Sequence, residues 1–136
     1  MPGPDVDVAV IGAGFSGIGA AIALQRADID DFRLLEEGDG VGGAWHWNRY
    51  PGIQVDIPSF SYQFSYAQRP DWSRVYAPGD ELKAYAEHLV DSYGLRSRLR
   101  IGEPGRSMRL FRASIHYLTA LFCCLAVDVL LLQVTR

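Results

Sequence analysis

The chain has no surplus of positive charge: 13 lysines and arginines stand against 16 aspartates and glutamates, a formal net charge of −3 over 136 residues. Without a basic stripe there is nothing to neutralise a run of phosphates, so a nucleic-acid partner is not expected. Cysteine is scarce as well. Its two copies, Cys123 and Cys124, are adjacent in an apolar run, whereas a disulfide framework or zinc site needs thiols spaced along the chain. The expectation is a reducing, cytoplasmic setting. The three histidines, His46, His88 and His116, share no ligand-like spacing with Cys, Asp or Glu, which predicts packing or surface roles and no metal. The start, Met1-Pro2-Gly3-Pro4-Asp5, has no basic patch ahead of an apolar stretch, so a secretory signal is not expected either. No internal repeat is present. The length suits one domain, able to bury about two thirds of the surface its unfolded form exposes.

What is present is a strand, helix, strand alternation. Val6 to Ile11 is β-branched and apolar apart from Asp7, and it runs into a glycine cluster. Phe15 to Ala27 is rich in Ala, Ile and Leu, with Ile18, Ala21, Ile22 and Leu24 able to share a helical face, and Asp28 to Asp31 reads as a polar turn. Phe32 to Leu35 is a second short strand. This βαβ order predicts an α/β fold with a Rossmann-like unit, parallel strands and a right-handed crossover. Gly38 to Ser59 holds five glycines and two prolines, too long for an idle loop and too aromatic for a disordered one. Beyond Pro78, Leu82, Tyr85, Ala86, Leu89 and Tyr93 follow helical spacing, Glu81, Glu87 and His88 fall off that face, and Gly94 can close the helix.

Between the first strand and the first helix stands Gly12-Ala13-Gly14-Phe15-Ser16-Gly17, a GxGxxG in the context where a dinucleotide site has its best physical case. Gly12 permits the tight turn, Gly14 removes a side chain that would block a pyrophosphate, and Gly17 lets helix and strand approach. Free N–H groups at the helix N-terminus would then face the phosphates. The bland alternative is a glycine turn without a ligand. Glu36 ends the second strand at the distance where a carboxylate can accept hydrogen bonds from ribose hydroxyls and repel a 2′-phosphate, favouring FAD or NAD over NADP. The neighbouring Glu37 is the alternative.

The segment from Gly42 to Asp56, GGAWHWNRYPGIQVD, matches GGxWxxxxYPGxxxD at Gly42, Gly43, Trp45, Tyr50, Pro51, Gly52 and Asp56. With the preceding fingerprint and the continuation through Pro58, Ser59, Tyr62, Ser65 and Tyr66, the chain resembles the class B flavoprotein monooxygenases, above all the Baeyer-Villiger type, over residues 5–101. The residue chemistry agrees: Gly42 and Gly43 allow close backbone approach, Trp45 offers a flat apolar face, and Tyr50-Pro51-Gly52-Ile53 suits a tight turn. The resemblance implies FAD contacts at Gly12, Gly14, Phe15, Ser16, Gly17, Glu36, Gly43, Trp45 and Tyr62. It places Asp56 near flavin and nicotinamide, with Gln54 and Val55 beside NADPH. Trp45 and Trp47 as mere loop cover, and Asp56 as a turn cap, are the alternatives. Arg49, Arg69 and Arg74 could meet NADPH phosphates, but isolated arginines are usually solvated and they receive no role. No catalytic residue is singled out.

The family's reaction, as the resemblance implies it, reduces FAD with NADPH and places one oxygen atom of O2 in a ketone, or on a nitrogen or sulfur of an amine or sulfide. Members also carry a second GxGxxG and an FxGxxxHxxxWP stretch, and neither occurs in this sequence. The chain therefore reads as the N-terminal part of an FAD-binding domain over residues 1–101, expected to lack turnover alone. From Gly102 the character changes. Arg106, Arg109 and Arg112 precede an almost wholly apolar run from Tyr117 to Val134. This stretch, 102–136, reads as a membrane anchor weakened by Asp128, as a buried element closing the domain, or, preferred, as a reading frame that leaves the family's pattern. The rival functions are a non-catalytic dinucleotide-binding module tethered to a membrane and an NAD-linked reductase.

Overall fold

In the computed structural model, residues 6–102, 112, 113, 115–125 and 127 are described. Strand β1 spans Val8–Ile11, helix α1 Phe15–Arg26 and strand β2 Phe32–Glu36. A single helical turn, α2, covers Ala44–Trp47, helix α3 covers Gly79–Ser92, and strand β3 covers Leu99–Ile101. The three strands form one parallel sheet in the order β1-β2-β3, with Val8 opposite Phe32 and Leu34 opposite Leu99. The α/β, Rossmann-like expectation holds.

The period-2 and period-3.6 patterns meet in one core. Ile18, Ala21 and Ile22 of α1 pack with Phe32 and Leu34 of β2 and with Tyr85, Ala86, Leu89 and Val90 of α3. All of these are essentially fully buried. At roughly 25 cal/mol per Å² of apolar surface removed from water, each large side chain among them contributes about 1.5–3 kcal/mol. Gly94 closes α3 in the left-handed conformation (φ 63°), as its position suggests, while the helix itself stops at Ser92.

Two elements escape the sequence pattern. Strand β3 is three residues long, too short for an alternation to show, and it is specified by its pairing with β2. Helix α2 is one turn inside the glycine-rich stretch. That stretch is ordered by polar ties: Tyr85 donates its hydroxyl to the Ala67 carbonyl (2.7 Å) and accepts from the Phe64 N–H (3.0 Å). Buried Ser59 donates to the Val75 carbonyl (2.8 Å) and accepts from the Ala77 N–H (2.8 Å). Tyr50 to Ile53 forms the expected turn, with Gly52 at φ 81° and the Ile53 N–H donating to the Tyr50 carbonyl.

Beyond Gly102, the described residues from Arg112 to Val127 are helical and every one is exposed, including Phe122 at 67 %. Among the described residues no helix is long and apolar enough to cross a membrane. The run from 128 to 134, with Asp128, lies outside the described residues, as do Arg106 and Arg109.

Candidate dinucleotide cleft

At the carboxyl ends of the parallel strands, where α/β sheets place their ligands, a cleft of about 380 Å³ opens. Gly12, Gly14, Phe15, Ser16, Gly17, Trp45 and Tyr62 line it together with Ile11, Gly42 and Ala44. The glycine turn and the aromatic loop, about thirty residues apart in sequence, are thus brought to one place with Tyr62.

The backbone explains why the turn needs its glycines. Gly12 has φ +88°, a region that side-chain-bearing residues rarely adopt. A Cβ on Gly17 would stand 1.8 Å from the Gly12 carbonyl oxygen, which no rearrangement of side chains can relieve. Gly43 serves a purpose the sequence does not reveal. A Cβ there would meet the Gly14 Cα at 2.9 Å, so the aromatic loop passes the glycine turn backbone against backbone. The Gly42 N–H donates to the Ala13 carbonyl (2.8 Å) and seals that contact.

Helix α1 starts at this cleft without a side-chain cap and without an acidic residue in its first turn. Its first N–H groups therefore keep their partial positive charge for an anion. Beneath the turn lies Glu36, only 6 % exposed. Its Oε2 accepts from the Ala13 N–H (2.6 Å) and its Oε1 from the Gly38 N–H (2.8 Å). The carboxylate thus braces the turn, and each oxygen retains a further lone pair. Glu37 is exposed, so of the two neighbouring acids only Glu36 reaches the turn.

The opposite wall is aromatic. The Trp45 Nε1–H donates to the Tyr62 hydroxyl (3.1 Å), the two rings meet edge to face at 5.7 Å, and Tyr62 continues to Phe15 at 5.4 Å. Edge-to-face pairs of this kind contribute about 0.5–1.5 kcal/mol beyond burial and hold the rings in place. Trp47, by contrast, is 61 % exposed and plays no part in the wall. Asp56 is not among the residues lining the cleft. It is exposed and its carboxylate takes no partner among the described residues, so the turn-cap alternative is not realised. Gln54 lines a neighbouring cleft and Val55 is buried.

A clasp that sequence reasoning missed holds the loop between these walls. His46 is 3 % exposed, and its Nε2 pairs with Asp39 Oδ1 at 2.6 Å. That hydrogen bond, with the backbone's own and the imidazole charge, keeps the Asp39 carboxyl below its ordinary range. His46 Nδ1 is buried and without a partner among the described residues. The ring packs over Gly40, where a Cβ would meet it at 2.6 Å. His46 is thus packed inside the loop and away from the surface, and among the described residues no group of three or more His, Cys, Asp or Glu is placed to hold a metal ion. Glycine at position 40, six residues before a histidine, is the only sequence signal of this clasp.

Residues 10–78, half of the chain, match the model of the NAD(P)-binding Rossmann-like domain. A Baeyer-Villiger monooxygenase of Streptomyces coelicolor is 47% identical over 103 residues, covering 76% of this chain and 20% of that protein. Among solved structures, an open form of cyclohexanone monooxygenase superimposes with a TM-score of 0.68 at 39% identity, over 71% of this chain and 20% of that one. The OTEMO complex with FAD and NADP gives 0.68 at 32% identity, over 74% and 20%. The chain spans about a fifth of the length of the curated relatives it matches.

Proposed function

We propose a function from the premise that this chain belongs to the family of NAD(P)-binding Rossmann-like domains: it is the FAD-binding N-terminal portion of an NADPH-dependent flavin monooxygenase of the Baeyer-Villiger type. One observation carries the proposal. The glycine turn and the aromatic loop, each suggestive alone, line a single cleft in front of an uncapped helix.

The residues fit FAD. The open N-terminus of α1 at Phe15, Ser16 and Gly17 suits a pyrophosphate, and the bare backbone at Gly12 and Gly14 leaves it room. Glu36 is held where its remaining lone pairs can take ribose hydroxyls, Trp45 and Tyr62 flank the cleft, and Gly43 keeps their loop against the turn. Asp56 is assigned a cofactor-facing role by its place in the matched motif, and its exposed carboxylate is free for one. FAD supplies the redox chemistry when bound, with NADPH as reductant in the larger protein. This chain's own residues bind the anion through amides, orient the ribose and shield one side of the cofactor.

The relatives' names support a small-molecule ketone as the larger protein's substrate. Residues 1–101 are assigned to the N-terminal part of the FAD-binding domain, and 102–136 to an atypical apolar tail. The adjacency of Cys123 and Cys124, which suits no disulfide framework, supports a reducing, cytoplasmic setting. The purified chain is expected to gain thermal stability from FAD, by about 2.7 kcal/mol when FAD is at a hundredfold its Kd, while consuming no NADPH when FAD and a ketone are supplied. Absence of any FAD-dependent shift contradicts the binding assignment, and sustained ketone-dependent NADPH oxidation contradicts the division of labour.

A further inference from the structure

Trp45 has a second side. There it walls a separate cleft of about 510 Å³, which Arg49, Gln54, Arg74, Asp80 and Lys83 also line. The three cations come from three segments: the stretch after α2, the loop before the Gln54–Pro78 bridge, and the second turn of α3. Convergence of like charges from separate segments focuses the potential of a cleft and concentrates anions there.

The cations are not already spoken for. Arg49 and Arg74 form no ion pair among the described residues, and Lys83 has only a 3.6 Å contact to Glu87. Arg49 is oriented through its Nε, which donates to the His46 carbonyl (2.9 Å), leaving its two terminal nitrogens for a ligand. One carboxylate, Asp80, opposes the three cations, and its Oδ1 is turned to the Glu81 N–H (3.0 Å). Gly79 and Asp80 also bring the N-terminus of the 14-residue α3, uncapped by Pro78, to the rim.

We infer that this cleft is a second anion site that takes a phosphate monoester, held by the guanidinium groups of Arg49 and Arg74 and the ammonium of Lys83. Guanidinium forks match phosphate oxygens two at a time, and lysine adds a point charge. The chemistry differs from the glycine cleft, where backbone amides meet the anion, and it extends beyond the flavin reading without depending on it. The phosphate could belong to a nucleotide or be free.

The test is an NMR titration of the full 136-residue chain, following the Trp45 indole N–H and the arginine Nε–H signals, with inorganic phosphate in one arm and adenosine 2′-monophosphate in the other. Saturable shifts are expected, weakened by added NaCl and at least tenfold weaker in Arg74→Gln and Lys83→Gln. Arg69→Gln is the control, because Arg69 pairs with Asp71 outside this cleft, and binding there is expected to be unchanged. Arg74→Lys, which keeps the charge but loses the fork, is expected to bind between the wild type and Arg74→Gln. Tighter binding of the nucleotide assigns a nucleotide source, and equal binding assigns free phosphate. Lack of saturation in the wild type, or equal affinity in the Gln variants, overturns the proposal. FAD affinity, read separately by flavin fluorescence, is expected to be the same in Arg74→Gln, so failure of either site is seen without the other.

Discussion

The two clefts on either side of Trp45 are made of opposite materials. One offers its ligand backbone polar groups, at a glycine turn, a helix start and a glycine-against-glycine crossing over a buried carboxylate, with an aromatic wall opposite. The other is side chain: two arginines and a lysine reaching in from separate segments. At Gly17 and Gly43 the backbone cleft has no room for an added atom, because the neighbours there are backbone and cannot rotate away, whereas a side-chain cleft tolerates many substitutions structurally and loses only its charge. Substitutions should therefore separate the clefts sharply.

The largest effect is expected from Gly17→Val. Its Cβ would meet the Gly12 carbonyl at 1.8 Å, placing the variant among the exceptional losses above about 4 kcal/mol. A urea unfolding curve checks this, and a near-normal midpoint would show that the turn yields. Next comes Tyr62→Phe, which removes the acceptor of the Trp45 indole N–H. A loss of about 1 kcal/mol is expected, with Trp45 fluorescence changing as its ring is released.

A smaller effect comes from acid. Asp39 is held below its ordinary value chiefly by the hydrogen bond from His46. Its contribution is complete above the unfolded carboxyl value of about 3.9 and disappears as pH falls through the lowered folded value. Stability should decline more steeply below about pH 4 in the wild type than in Asp39→Asn, and identical pH profiles would remove the clasp from the account. Smallest of all, Arg74→Gln should change unfolding stability by no more than about 0.5 kcal/mol, as expected for an exposed side chain. A large loss there would mean that the cationic cleft is structural after all.

The same contrast explains what the sequence disclosed. The spacing of Gly12, Gly14 and Gly17 is visible because each glycine answers a local requirement of the turn, and the α1 and α3 faces are visible because burial repeats every turn of helix. Glu36 was legible as an acid ending a strand, but its bonds to Ala13 and Gly38 were not, since they depend on the turn folding over it. Strand β3 was hidden by its shortness, and the Asp39–His46 clasp by depending on a loop path that no periodicity encodes. Arg49 and Arg74 look solvated in sequence because only tertiary structure brings them beside Lys83. In the apolar run near the C-terminus, Phe122 and Leu125 are hydrophobic yet exposed, so apolar character alone did not predict burial there.

The most direct measurement is a fluorescence titration of FAD with the folded chain, run beside Gly14→Val. Gly14 lines the cleft, and a Cβ there already touches Gly43 at 3.4 Å, so valine fills the space reserved for the anion. Saturable FAD binding by the wild type and at least a tenfold weaker affinity in the variant are expected. A folded wild type that binds no FAD, or a variant that binds it equally well, would contradict the claim that this backbone cradle holds the dinucleotide.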